Sequence, residues 1–170
     1  MPRQAGILMP ITSLPSPYGI GTIGKEAYKF ADFLKKSGQK IWQILPVGPT
    51  SYGDSPYQSF STYAGNPYMI DLDTLVSEGL LKKAELKKYE WGSNPGYVDY
   101  EKIYNSRFEV LRIAYDRYKE QEDQKAFTSF KRRNCKWLKN YALYMAVKKA
   151  NGMKAWTEWE DEEIRLRRPA

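Results

Sequence analysis

The first apolar run, Gly6 to Pro10 (GILMP), is short, closed by proline, and reads as a buried strand followed by a loop from Ile11 to Gly24. Residues Lys25 to Ser37 then place Ala27, Phe30, Ala31 and Leu34 on one face at helical spacing, with Gly38 set to end the helix. Ile41 to Leu45 (IWQIL) repeats the strand pattern, is stopped by Pro46, and carries Trp42 as a core residue. Strand, helix and strand with both strands apolar is a βαβ unit, which demands parallel pairing and a right-handed crossover.

After the second strand, Pro46 to Tyr68 (PVGPTSYGDSPYQSFSTYAGNPY) is dense in turn formers. Unstructured connections beyond about 12 to 15 residues are usually functional or disordered, and Tyr52, Tyr57, Phe60, Tyr63 and Tyr68 argue against disorder. In parallel α/β folds the loops beyond the C-terminal strand ends build the ligand site, and this loop holds that position.

From Leu75 onward the pattern is helical. Asp71 or Asp73 can cap a short helix ending before Gly79, and Asp99 a longer one running to about Gln121 with Ile103, Val110, Leu111 and Ala114 inward. Cys135 to Ala150 forms another, with Trp137, Leu138, Tyr141, Ala142 and Met145 on one stripe and Gly152 beyond its end. The expected organisation is therefore residues 1–75 as a βαβ portion with a long loop, and residues 76–170 as a mainly helical part. The prolines follow the same division: Pro2, Pro10, Pro15, Pro17, Pro46, Pro49, Pro56 and Pro67 precede Leu75, and only Pro95 and Pro169 follow it.

Composition narrows the chemistry. With 170 residues, 42% hydrophobic and 28% charged, the chain has enough apolar material for a core. There is no histidine, so neither an imidazole base nor a histidine-liganded metal can be built within it. Cys135 is the only cysteine, which excludes an internal disulfide and any multi-cysteine zinc site and fits a reducing compartment. Residues 1 to 4 lack a signal-peptide core and no run approaches about 18 apolar residues, so the expectation is a cytoplasmic protein with no membrane partner.

The net charge of +7 arises mainly after residue 75. Lys131, Arg132, Arg133, Lys136 and Lys139, with Phe130 and Trp137 among them, make either a solvated helix face or a basic nucleic-acid-binding patch, which is the competing functional reading. Gly19, Gly21 and Gly24 have the G-x-G-x-x-G spacing but lie in a proline-rich loop with no acid about 20 residues on, so a dinucleotide site is not expected.

Three segments carry a family resemblance: GILMPITSLPSPYGIGTIG, IWQILPVGPTSYGDSPYQSFSTYAGNPYMIDL and WLKNYALYMAVKKANGMKAWTEW. Together they resemble the N-terminal region of the 4-alpha-glucanotransferases, the amylomaltase or disproportionating-enzyme family, glycoside hydrolase family 77. The most specific stretch is Gly48 to Pro67, where Gly-Pro-Thr, Tyr-Gly-Asp-Ser-Pro-Tyr-Gln-Ser and Gly-Asn-Pro follow in order.

The resemblance implies an α/β fold that begins an α-amylase-type (β/α)₈ TIM barrel, and an enzyme that passes α-1,4-glucan segments between maltooligosaccharides without a cofactor or metal. A closed barrel takes about 250 residues, so the barrel is expected to be incomplete and the chain to be an N-terminal fragment, inactive alone. Its chemistry needs two carboxyl groups about 5 to 5.5 Å apart, and neither family carboxylate has a counterpart among these residues. A noncatalytic glucan-binding module is the remaining alternative. By resemblance, Tyr57 lines the sugar site beside the cleaved bond and Tyr52 matches a second, noncatalytic glucan contact. Asp54, Ser55 and Gln58 flank these tyrosines, with sugar hydroxyls and the loop's own backbone as alternative partners.

Overall fold

The computed structural model describes residues 3–50, 53–121, 123–161 and 164. They fall into two compact units, residues 1–122 and 123–170. Strand β1 (Gly6–Leu8), helix α1 (Lys25–Lys36) and strand β2 (Ile41–Gln43) open the first unit. The strands pair in parallel with Gly6 opposite Ile41, Ile7 opposite Trp42 and Leu8 opposite Gln43, as the apolar pattern requires. Met9 N–H extends the ladder to Gln43 O at 3.0 Å.

The expected burial of both strands is not met. Each alternates exposed, half-buried, exposed, and Leu8, Ile41 and Ile44 are 54%, 46% and 41% accessible. Trp42 packs on Phe30 of α1 with ring centroids 4.9 Å apart, so the helix covers the face that carries Ile7 and Trp42. Nothing among the described residues covers the other face. Within α1, Ala27 and Leu34 are buried and Phe30 half-buried, whereas Ala31 is exposed.

The first unit continues with α2 (Leu72–Ser77), α3 (Lys83–Leu86) and α4 (Tyr100–Lys119). Asp71 caps α2 by accepting from Thr74 N–H at 2.8 Å, and Asp99 caps α4 by accepting from Lys102 N–H at 3.2 Å. Tyr18 shares one core with Leu72, Leu80, Leu81, Leu86, Val110 and Ala114. The change in texture near Leu75 is therefore a change of element type inside one packed unit: Leu72 and Val110, on opposite sides of it, both have zero accessibility. Fully burying such side chains is worth about 1.5 to 3 kcal/mol each, enough to bind this segment to the loop that carries Tyr18.

The glycines that mimic a phosphate loop serve close packing instead. A Cβ on Gly21 would lie 2.0 Å from Ile11 O, and one on Gly24 would lie 2.3 Å from the Asp71 carboxyl. Only a residue without a side chain fits between these neighbours.

The second unit contains α5 (Lys125–Arg133) and α6 (Cys135–Ala150). Asn134 makes the corner, its side-chain amide donating to Phe130 O at 2.9 Å and its Oδ1 accepting from Trp137 Nε1 at 3.0 Å. The half-buried stripe of α6 is Trp137, Leu138, Tyr141, Tyr144 and Met145; Ala142, expected on it, is exposed. Trp159 is buried and its ring lies 5.8 Å from that of Tyr144. Among the described residues no helix is long and apolar enough to cross a membrane.

Between α3 and α4, Arg117 grips Glu85 with Nη1 to Oε2 at 2.8 Å and Nη2 to Oε1 at 2.5 Å. These bonds, with the Lys82 N–H, pull the Glu85 carboxyl from 4.5 down to about 2. A folded value below the unfolded one stabilises fully above about pH 4.5, and that contribution is lost as pH falls toward 2. Thermal melts over this range should show Glu85→Gln losing less Tm on acidification than the wild type. Parallel Tm curves would show that the pair does not contribute.

Candidate functional site

The loop from Pro46 to Tyr68 is closed at its base by Asn66 N–H, which donates to Val47 O at 2.8 Å. Its serines brace it from within. Ser55 Oγ accepts from Tyr57 N–H at 3.3 Å, and Ser55 O accepts from Gln58 N–H at 3.1 Å. Ser59 Oγ donates to Ser61 O at 2.8 Å, while Ser61 Oγ accepts from Ala64 N–H at 3.0 Å. Such local bonds satisfy the backbone of a segment too irregular for a ladder.

The two strands and this loop meet at one cleft. Pro10, Ile11 and Thr12 follow β1, Leu45 and Pro46 follow β2, and Thr50, Asp54 and Pro56 come from the loop; all line it. Asn66, Tyr68 and Met69 of the loop's return and Tyr100 of α4 complete the wall. The cleft thus sits at the C-terminal ends of the parallel strands, where α/β folds place ligands.

Asp54 is the one carboxylate in this lining among the described residues. It follows Gly53 in a left-handed turn with φ of 55°, a region Asp and Asn tolerate best among residues with a side chain. Burial pushes its carboxyl up. Burial, then the Asp54 charge, raises the Tyr68 phenol to about 12, and the same causes raise that of Tyr100. At neutral pH the cleft accordingly offers a carboxylate acceptor, two protonated phenols and the hydroxyls of Thr12 and Thr50. This set can bind a polyhydroxylated molecule. One carboxylate cannot serve as both nucleophile and acid in glycoside chemistry.

Of the residues singled out in the sequence, Asp54 lies in the cleft. Tyr57 is 73% accessible and, like Gln58, stands outside its lining, and Ser55 holds the turn between them. Tyr52 lies outside the described residues. Asp71 and Asp73 hold structure: Asp71 caps α2, and Asp73 Oδ1 accepts from the Tyr18 hydroxyl at 2.6 Å. In the basic patch, Phe130 is exposed, whereas Trp137 is half-buried and bonded to Asn134.

Residues that sequence reasoning had not assigned to the site are Thr12, Thr50, Asn66, Tyr68 and Tyr100. The Asp99 cap was a usable signal for Tyr100, since it sets that residue at the first helical position beside the loop.

The family model of glycoside hydrolase family 77, 4-alpha-glucanotransferase, matches residues 9–170. The chain belongs to this family. It is 51% identical over 166 residues to the 4-alpha-glucanotransferase of Streptococcus pneumoniae serotype 4, covering 98% of this chain and 33% of that protein. With the Thermus thermophilus 4-alpha-glucanotransferase it shares 46% identity over 162 residues, 94% of this chain and 31% of that one. The structure of the amylomaltase from Streptococcus agalactiae in complex with acarbose matches with a TM-score of 0.93 and 44% identity over 98% of this chain and 34% of that one. The chain thus spans about a third of the length of the curated relatives it matches and shares the fold of the corresponding third of an amylomaltase.

Because burial raises the folded Asp54 carboxyl above its unfolded value, this group makes stability fall as pH rises through the carboxylate range. Asp54→Asn should keep the left-handed turn and abolish that slope, while Asp54→Val should cost about 1 to 2 kcal/mol through its β-branched side chain at positive φ. Urea unfolding between about pH 3 and 6 tests both. An unchanged slope in the Asn variant would place Asp54 in solvent.

Proposed function

We propose that the chain is the N-terminal part of a cytoplasmic 4-alpha-glucanotransferase that moves α-1,4-glucan segments between maltooligosaccharides with retention at the anomeric carbon. The observation that carries this reading is the cleft at the joint C-terminal end of β1 and β2, in a chain that matches the family across residues 9–170. In this reading β1, α1 and β2 open a (β/α)₈ barrel that these residues leave incomplete, with residues 1–75 as its first βαβ portion and 76–170 as a helical insertion. The acarbose in the Streptococcus agalactiae complex supports a saccharide occupant.

Retaining transfer begins when a carboxylate attacks the anomeric carbon and the glycosidic carbon–oxygen bond breaks, as a second carboxyl group gives its proton to the leaving oxygen. An acceptor hydroxyl then displaces the enzyme carboxylate and returns a proton to the second group. In this reading both groups come from outside residues 1–170; supporting it, Asp54 is the one carboxylate of the cleft lining among the described residues, and one carboxylate cannot fill both roles. This segment's part is binding. The exposed Tyr57 ring packs on the C–H face of a glucose beside the reacting bond, Tyr52 supplies a second contact, and Asp54, Ser55 and Gln58 meet sugar hydroxyls.

The complete protein incubated with maltotriose should yield glucose and longer maltooligosaccharides, and the isolated 170-residue chain should yield neither. Failure of the complete protein to redistribute any α-1,4-glucan refutes the assignment; turnover by the isolated chain refutes the division of catalytic groups.

In the complete protein, transfer should decline in the order wild type, Tyr57→Phe, Tyr57→Ala. The alanine variant should lose about 1 to 3 kcal/mol of transition-state stabilisation, as ring packing and a hydrogen bond are both removed. Because Tyr57 is exposed, both variants should melt as the wild type does. Wild-type kcat/KM in a folded Tyr57→Ala would remove the residue from the site.

A further inference from the structure

Arg107, in the second turn of α4, is fully buried. An arginine without solvent is costly unless its five donors are used, and an apolar side chain of similar volume is often tolerated better in such a place. Here two of the three nitrogens reach main chain rather than a paired carboxylate, while Nη1 is buried with no hydrogen-bond partner among the described residues. Nε donates to Pro67 O at 3.4 Å and Nη2 donates to Ile70 O, so the guanidinium spans the 3₁₀ turn Pro67–Met69.

That turn is the return stem of the long loop. Its first neighbour, Asn66, closes the loop onto Val47, and Tyr68 within it forms a wall of the cleft that also holds Asp54. The Tyr68 ring lies 6.1 Å from that of Tyr100 and 5.9 Å from that of Phe108, both on α4. One helix thus holds both the backbone and the ring of the stem. Burial lowers the Arg107 pKa to about 10, opposed by the Asp71 charge, so the guanidinium remains a cation at neutral pH.

We propose that Arg107 is a positioning residue for glucan binding, which clamps the Pro67 and Ile70 carbonyls and thereby sets Tyr68 and the base of the Pro46–Tyr68 loop in the cleft. The inference deepens the glucanotransferase reading and rests on it. A lysine at this position keeps the charge but presents one point donor group in place of a rigid fork, and a methionine keeps the volume and none of the donors.

The test uses the complete protein, with Arg107→Lys and Arg107→Met compared by steady-state kinetics on maltotriose and by amide hydrogen exchange. Arg107→Met should raise KM about tenfold with kcat within about twofold, Arg107→Lys should fall between it and wild type, and exchange should quicken over residues 46–70 while residues 80–86 remain protected. An active wild type with both variants unchanged in KM and exchange overturns the positioning role and leaves the family reading intact. Faster exchange throughout residues 3–121, or loss of cooperative unfolding in both variants, overturns it in favour of a general packing role. An inactive wild type overturns the glucanotransferase reading and this inference with it.

Discussion

The Asp71 carboxylate is the contact on which the first unit turns. One oxygen accepts from both the backbone and the hydroxyl of Thr74, at 2.8 Å each, and so starts α2. The other accepts from the Thr22 hydroxyl at 2.6 Å, in the loop that leads into α1. Gly24, at the head of α1, leaves room for the carboxyl group, and the buried charge of Arg107 on α4 faces it. Burial alone would push the Asp71 carboxyl up; the Thr22 and Thr74 hydrogen bonds and the Arg107 charge outweigh it and hold the group ionised. One side chain therefore ties the start of α2 to the loop that leads into α1, with the α4 cation facing it.

This arrangement explains why the polar residues near the cleft divide as they do. Hydroxyls and acids close to regular elements are committed to capping and stitching, as with Asp71, Asp73 and Asp99. Ser59 and Ser61 are committed to the loop's own backbone, and Ser55 braces it as an acceptor, a bond that leaves its hydroxyl hydrogen to donate. The cleft itself presents the Asp54 carboxylate and the phenols of Tyr68 and Tyr100, and Tyr57 adds an exposed aromatic face. A pyranose presents hydroxyls at its rim and C–H groups on its faces, and the two kinds of surface suit the two kinds of group.

Local punctuation made much of the fold readable. Gly38 and Gly152 adopt φ of 72° and 64° just past α1 and α6, and only such a backbone lets the chain turn there at low cost. Helix α3 has four residues and α5 nine, with no Ser, Thr, Asp or Asn at the N-cap itself. Their starts are marked only by Glu85, which accepts from Lys82 N–H at 2.9 Å, and Asp123, which accepts from Lys125 N–H at 3.0 Å. Burial of the strands was misread because an apolar run does not tell how many of its faces will be covered. Arg107 was legible in principle. It lies in phase with Ile103, Val110 and Ala114, at the i+4 position of a stripe that is otherwise apolar, and a cation at that phase has to be buried and paired. In the site, composition and spacing drew attention to the loop, but the cleft is assembled from segments near residues 10, 45, 68 and 100, which no local pattern joins.

The sheet itself gives the cleft little rigidity. Two three-residue strands with one face uncovered form a marginal platform, and Leu8, Ile41 and Ile44 remain exposed upon it. The opposite wall is different: Tyr68 and Asn66 are buried, and the stem that carries them is tied to α4, whose Ile103, Arg107 and Val110 have no accessible surface. Position in the cleft is accordingly set from α4 inward rather than from the strands outward. The loop gains a defined location because its two ends are joined at Val47 and Asn66, while the Tyr57 side chain stays exposed. A ligand-contacting surface can then vary at Tyr57 without disturbing the core, since backbone groups and the hydroxyls of Ser55, Ser59 and Ser61 brace the loop.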